Sequence, residues 1–264
     1  MNTNLENLKK ISMELYDIQQ MRIAVVNRVN ASRRRGFRVD AIEPLQRALD
    51  EIDNAEKIIT KMLLEAFKAE APTEIVQFAS NTAGIGKQPK LLARLMGEIG
   101  DLDTWQEAKW EKGKKDEDKR VLVLGDTWES SVRDLWAYCG VGDPERKIKA
   151  GMSQEELLAC GNPRAKFLVR LIAEQMVKNK RSAYRKVYDI GRQKYENRTH
   201  AEPCPQCGTP GHPAMVGSPW RDGHKHAAAL RLTGKAVLKD LWRVRHGQTP
   251  VYGGKTQWTQ RKIA

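Results

Sequence analysis

The chain of 264 residues carries 46 Lys and Arg against 33 Asp and Glu, a net charge of +13, with 40% hydrophobic and 6% aromatic positions. This is a globular rather than a disordered composition, with room for one large domain or two small ones. Its 30% of charged residues favours helices with long solvated faces over sheets buried on both sides, so a mainly α protein is expected. No run approaches the ~18 consecutive apolar residues needed to cross a bilayer, and the polar stretch 1–10 has no apolar signal core. No membrane partner and a cytoplasmic location are therefore expected. Four cysteines, two of them in Cys204-Pro-Gln-Cys207, are too few and too clustered for a disulfide framework.

Residues 161–264 hold 21 Lys and Arg against 6 Asp and Glu, a balance of +15, whereas residues 1–160 balance to −2. An excess confined to one segment points to a polyanionic partner, most simply DNA or structured RNA.

In chain order, Leu5, Leu8, Ile11, Leu15, Ile18, Val25 and Val29 recur mostly three or four apart and predict one long amphipathic helix. The run 30–36, containing Arg33, Arg34 and Arg35, breaks it. A second apolar stripe follows from Ile42 to Ala66, with Pro44 suited to a first helical turn. Residues 1–72 thus read as an antiparallel helical hairpin, each helix about 40 Å long. That hairpin is either an intramolecular arm or a coiled-coil element that pairs with another chain. Residues 73–102 read as a helix-hairpin-helix around Gly84-Ile85-Gly86. Glycines there let the backbone approach a phosphate, the second helix offers free N–H groups, and Lys87 and Lys90 add charge.

Residues 103–126 are a charged insertion, either a loop or an exposed helix extension, with Val121–Leu124 strand-like. Residues 127–246 form a further helical region, starting with a helix from about Trp128 to Tyr138. Ser153, with Glu156 three residues on, suits a helix cap. From Asn162 to Tyr195 the apolar positions Phe167, Leu168, Leu171, Ile172 and Met176 are expected in the core. Arg164, Lys166, Arg170, Lys180, Arg181 and Arg185 are left for other faces, in more numbers than packing explains. A last helix places Lys235 and Lys239 outward, and residues 247–264 read as a flexible basic tail.

Cys204, Cys207, His212, His224 and His226 stand close together, with His200 just before them, in a stretch (200–226) rich in Pro and Gly. Cys-x-x-Cys turns two thiolates toward one point, and two imidazoles complete a tetrahedral structural zinc site. The ligands expected are Cys204, Cys207, His212 and one of His224 or His200. The spacing is not that of a standard finger, and an unligated turn is the competing reading.

The order GIG…EIGD, AYCGVG, GNPRAKFLVRLIAE, SAYRKVYD and HAAALRLTGKAVLKDLW, over about residues 73–243, resembles the C-terminal transposase domain of DEDD-type insertion-sequence transposases. These are the bridge-RNA-guided recombinases of the IS-one-ten group. The resemblance implies binding to element or target DNA and, in the full family, to a guide RNA; the nucleic-acid contacts expected from charge and turn chemistry are Gly84, Gly86, Lys87, Lys90, Asn162, Arg164, Lys166, Arg170, Lys180, Arg181, Arg185, Lys235 and Lys239. In that family a RuvC-like domain holding magnesium through acidic residues precedes the arm. Here the arm comes first, so that half is expected to be absent, or supplied by a separate partner. The family also carries a serine nucleophile in a Ser-Ser-Gly-like element before the Gly-Asn turn. The corresponding stretch 141–160 contains only Ser153, while Ser130 and Ser131 lie too early. Two readings follow: a recombinase subunit using Ser153, self-associated through its arm, or a transposase-derived DNA- or RNA-binding module without chemistry.

Overall fold

The computed structural model describes residues 5–86, 89–112, 120–143, 151–153, 156–157, 160–209 and 211–253, with backbone alone at 105–112, 120–126 and 128. Eight helices dominate the described residues: α1 (Glu6–Arg34), α2 (Val39–Glu70), α3 (Thr73–Asn81), α4 (Lys90–Ile99), α5 (Val132–Tyr138), α6 (Pro163–Lys178), α7 (Tyr184–Lys194) and α8 (Asp222–Arg245). Two antiparallel ribbons, β1 (Thr104–Lys112) with β2 (Arg120–Glu129) and β3 (Cys204–Thr209) with β4 (His212–Ala214), complete the set. Among the described residues no helix is long and apolar enough to cross a membrane.

The first two helices lie side by side in opposite directions. Asn7 donates to Glu70 at 2.7 Å, Gln19 to Glu56 at 2.7 Å and Arg33 to Gln46 at 3.3 Å. Only their shared base enters the core, through Leu8, Ile11 and Leu15 of α1 and Leu63, Ala66 and Phe67 of α2. Between Leu15 and Val29 of α1, and between Ile42 and Leu63 of α2, no residue is buried. Met21, Ile23 and Ile58 stand in solvent there. A pair of helices has only one mutual seam, so apolar side chains off that seam find no cover within the arm. Pro44 lies inside α2, not in its first turn, which begins at Val39.

The arm's base is seated on α4. A Cβ at Gly97 would lie 3.1 Å from the Leu8 carbonyl oxygen and 3.1 Å from Ser12 Cβ, so the helices cross with backbone nearly touching side chain. Lys90 of α4 pairs with Glu56 at 3.1 Å, and Arg94, largely buried, donates to Gln19 at 2.9 Å. Burial opposes the charge on Glu56, yet hydrogen bonds from Gln19 and Lys90 and the charges of Lys90 and Arg22 hold its carboxyl below the usual range.

The helices α3, α5, α6 and α7 gather around α8, which buries Ala229, Leu230, Thr233, Gly234, Val237, Leu238 and Leu241. The two helices of the expected helix-hairpin-helix take different neighbours: α3 packs mainly on α8, and α4 on α1 and α6. One polar group sits at the centre. Asp240 is fully buried and accepts from Tyr184 Oη at 2.8 Å and from the backbone N–H groups of Val251, Tyr252 and Gly253 at 2.6, 2.6 and 2.9 Å. Burial, followed by the Asp240 charge, drives the Tyr184 phenol well above its ordinary pKa, so it stays a donor.

Three expectations differ from the outcome. The charged insertion forms the β1–β2 ribbon, paired from Thr104↔Glu129 to Lys112↔Arg120 with a register shift between Gln106 and Ala108. Its Trp, Thr and Val content carries β-propensity that the charges obscure. The stretch 162–195 is two helices, broken at 179–183, and Phe167 lies outside the core at 55% exposure. The start of the tail is pinned by Asp240, while residues 254–264 lie outside the described residues.

Asp240→Ala leaves three backbone donors and a phenol without their acceptor, so urea unfolding should show a loss of about 3–5 kcal/mol. Glu56→Gln should lower the melting temperature at neutral pH. Because the folded pKa of Glu56 is depressed, its contribution is present above the ordinary carboxylate pKa and vanishes as pH falls through the folded value. The gap between variant and wild type should therefore close in acid.

Candidate metal centre and cationic surface

The β3–β4 hairpin pairs Cys204 with Ala214 at its open end and Thr209 with His212 at its turn. Gly208 makes the close approach possible, since a Cβ there would fall 2.1 Å from the His212 carbonyl oxygen. The chain before the hairpin runs back against the segment after it. His200 N–H donates to Ser218 O at 2.9 Å, Gly217 N–H to His200 O at 2.8 Å, and Thr199 bridges Pro219. That pairing brings His200 over the two cysteines. The first turn of α8 supplies His224 from the other side.

Ligand atoms of His200, Cys204, Cys207 and His224 all lie within 4.8 Å of one another, and all but His224 are buried. Both thiols are free of disulfides. His224 Nδ1 is 3.8 Å from Cys204 Sγ and 3.4 Å from Cys207 Sγ. An ion bonding sulfur at about 2.3 Å and nitrogen at about 2.0 Å in a tetrahedron separates such ligands by about 3.5 Å, so the donor set fits. His200 Nε2 is buried without a hydrogen-bond partner, a state that costs free energy unless something binds it.

The surroundings hold the imidazoles in place. Trp220 stacks on His224 with centroids 4.1 Å apart and planes 9° apart, and Tyr195 stacks on the Trp220 ring at 5.4 Å. Arg221 donates to Gly208 O at 3.2 Å, Lys225 pairs with Glu196 at 3.2 Å, and Arg192 pairs with Asp222. These contacts fasten the start of α8 to the hairpin and to the end of α7. The expected ligand His212 is not in this group. It sits exposed at the turn end of the hairpin, and His200 takes its place. His226 instead meets Tyr188 Oη at 2.7 Å.

Ser153, the candidate nucleophile, is exposed and its hydroxyl accepts from Glu156 N–H at 3.2 Å, while the Glu156 carboxylate accepts from Ser153 N–H at 2.7 Å. This reciprocal pair is a capping box. The backbone and side-chain bonds from Ser153 hold Glu156 below its usual pKa. Ser131 caps α5 in the same way with Asp134.

The expected nucleic-acid contacts divide into two groups. Gly84 turns inward, where a Cβ would meet Met176 at 3.0 Å, whereas Gly86 faces open space, and Lys87 lies outside the described residues. Lys90 is engaged by Glu56. Asn162 caps α6, accepting from Arg164 and Ala165 N–H, and donates to Tyr138 Oη at 2.9 Å. Arg164 lies over the Tyr16 ring at 4.6 Å and 3.9 Å from Glu98. Arg170 and Arg185 pair with Glu174 and Asp189, each at 3.0 Å. Lys235 lies over the Trp136 ring at 4.1 Å and donates to Gly142 O at 3.4 Å. By contrast Lys166, Lys180, Arg181 and Lys239 make no ion pair among the described residues, and the last three are exposed.

Arg231, not singled out by sequence, has a buried Nε without a partner, and burial followed by the nearby Arg231 charge lowers the pKa of Lys235. No signal in the one-dimensional pattern distinguishes Arg231 from other helical cations. No protein-family model, curated protein or solved structure matches the chain.

Gly208→Ala should open the hairpin, because the added carbon would overlap backbone rather than a side-chain end. Circular dichroism melts of that variant should show a loss of about 2–4 kcal/mol.

Proposed function

We propose that the protein binds nucleic acid, as a transposase-derived component of a mobile element, with the Cys/His centre as a structural zinc site. The observation that carries this reading is the connection between α6 and α7. Within Lys178–Lys186 five of nine side chains are cationic, and Lys178, Lys180, Arg181 and Lys186 are exposed with no ion pair among the described residues. Among the described residues, Arg185 alone in this stretch is engaged by a carboxylate. Cations left unpaired on a rigid helical corner are what a phosphate backbone requires. The resemblance to the transposase domain, whose most specific phrase is the start of α6, supports the same partner, DNA or structured RNA.

Binding without strand chemistry is the better supported form. The Ser153 hydroxyl is committed to its cap, and Glu156, the carboxylate beside it, is committed in return. The uncovered apolar residues along the arm support self-association as a coiled coil, which would also bring two cationic corners to one polymer. At the Cys/His centre zinc would serve by cross-linking the hairpin to the start of α8, with His200, Cys204, Cys207 and His224 holding it.

Electrophoretic mobility shifts at about 50 mM salt should show binding to duplex DNA or structured RNA, with affinity falling steeply as salt rises. Lys180→Glu with Arg181→Glu should weaken it about tenfold or more at unchanged thermal stability. Absence of binding to either polymer at low salt would sink the proposal. Metal analysis of reduced protein should find about one zinc per chain, lost in Cys204→Ser and kept in His212→Ala.

A further inference from the structure

Beside α8 a cleft of about 380 Å³ lies between α6, α8 and the loop 140–143. Its floor is apolar, from Val141, Val169 and Leu230, and Phe167 stands at its rim with 55% of its surface exposed. Lys166, Arg231 and Arg170, the last paired with Glu174, also line it, together with Asp143. The volume falls within the about 300–1,000 Å³ of small-ligand sites.

Three features separate this cleft from an ordinary surface dent. Arg231 keeps a desolvated Nε without a partner, and no ion pair neutralises its guanidinium among the described residues. Lys235, one helical turn along α8, lies over Trp136 at 4.1 Å, and burial, followed by the Arg231 charge, lowers its pKa. Lys166 is held at its edge by the backbone, since a Cβ at Gly140 would approach Lys166 Cδ at 3.0 Å. Such an arrangement costs free energy that an anion offsets. An exposed aromatic ring beside convergent cations matches a nucleotide: a planar base on the ring, a phosphate on the cations. A duplex keeps its bases stacked inside and offers no free base face to the ring. An unpaired strand does.

We infer that this cleft receives one unpaired nucleotide of a single-stranded DNA or RNA segment, its base against Phe167 and a flanking phosphate on Arg231 and Lys166. The inference rests on the nucleic-acid reading above and specifies where an unpaired strand would lie, apart from the cationic corner between α6 and α7.

The full chain is titrated with oligothymidine, oligouridine and blunt duplex DNA, and with oligothymidine bearing a single 2-aminopurine. Phe167→Ala should weaken single-strand binding about tenfold while leaving duplex affinity and melting temperature unchanged, and Phe167→Trp should restore it. Arg231→Gln should weaken single-strand binding similarly and reduce its salt slope by about one. Stacking on Phe167 should change 2-aminopurine fluorescence in wild type and not in Phe167→Ala. Oligothymidine against oligouridine tells DNA from RNA as the preferred strand. Unaltered single-strand binding in both variants, or equal losses for single strands and duplex, overturns the cleft assignment. Duplex binding with no single-strand binding by wild type overturns it alone, whereas no binding to any of these polymers overturns the nucleic-acid reading as well.

Discussion

A carboxylate taken out of water has to be surrounded by donors, and the C-terminal half of this molecule is arranged around one. Asp240 is fully buried and collects three backbone N–H groups from 251–253 and the Tyr184 hydroxyl. A buried charge with incomplete partners is strongly destabilising, so these segments take one arrangement or the core fails. Tyr184 opens α7, and the chain at Gly253 passes so near Phe78 of α3 that a Cβ would fall 2.2 Å from its ring. One side chain thereby sets the relative positions of α3, α7, α8 and the chain after α8.

The consequence is carried along α8, a continuous helix of 24 residues. Its first turn presents His224 to the two cysteines, its middle presents Arg231 to the cleft, and its last turn presents Arg245. Arg245 pairs with Glu74 at 2.6 Å and with Asp103. A metal at one end would stabilise the same helix that Asp240 stabilises near the other. The cationic corner between α6 and α7 is fixed by the same means, because Arg185 donates to Val177 O at 2.8 Å and Tyr184 is anchored by Asp240.

Charge is spent differently along the chain. Arg245 and Arg164 are drawn to acids of the first half, at Glu74, Asp103 and Glu98, and serve to join its elements to α8 and α6. Arg170 and Arg185 are used within their own helices. Exposed cations with no ion pair among the described residues include Lys178, Lys180, Arg181 and Lys186, where α6 gives way to α7, and Arg34 and Arg35 at the turn of the arm; net charge alone does not tell these from the engaged ones.

Apolar period and cap residues made the helices legible: the stripe from Leu5 to Val29 became α1, and Asn162 followed by Pro163 became the start of α6. Cys204-x-x-Cys207 marked the metal-type site because two thiols at that spacing lie close in the chain, here within β3. Those are local properties, set within a few residues, and a sequence determines them by itself. The third and fourth donors, the exposure of Phe167, the inward turn of Gly84 and the engagement of Lys90 by Glu56 depend on which segments meet across long separations. His200 reached the cysteines through the backbone pairing of 199–200 with 217–219, and His212 was turned away by its place at the hairpin tip. Only packing decides such meetings, because the free energy that selects them is gained by burying surfaces and satisfying donors jointly rather than by any residue alone.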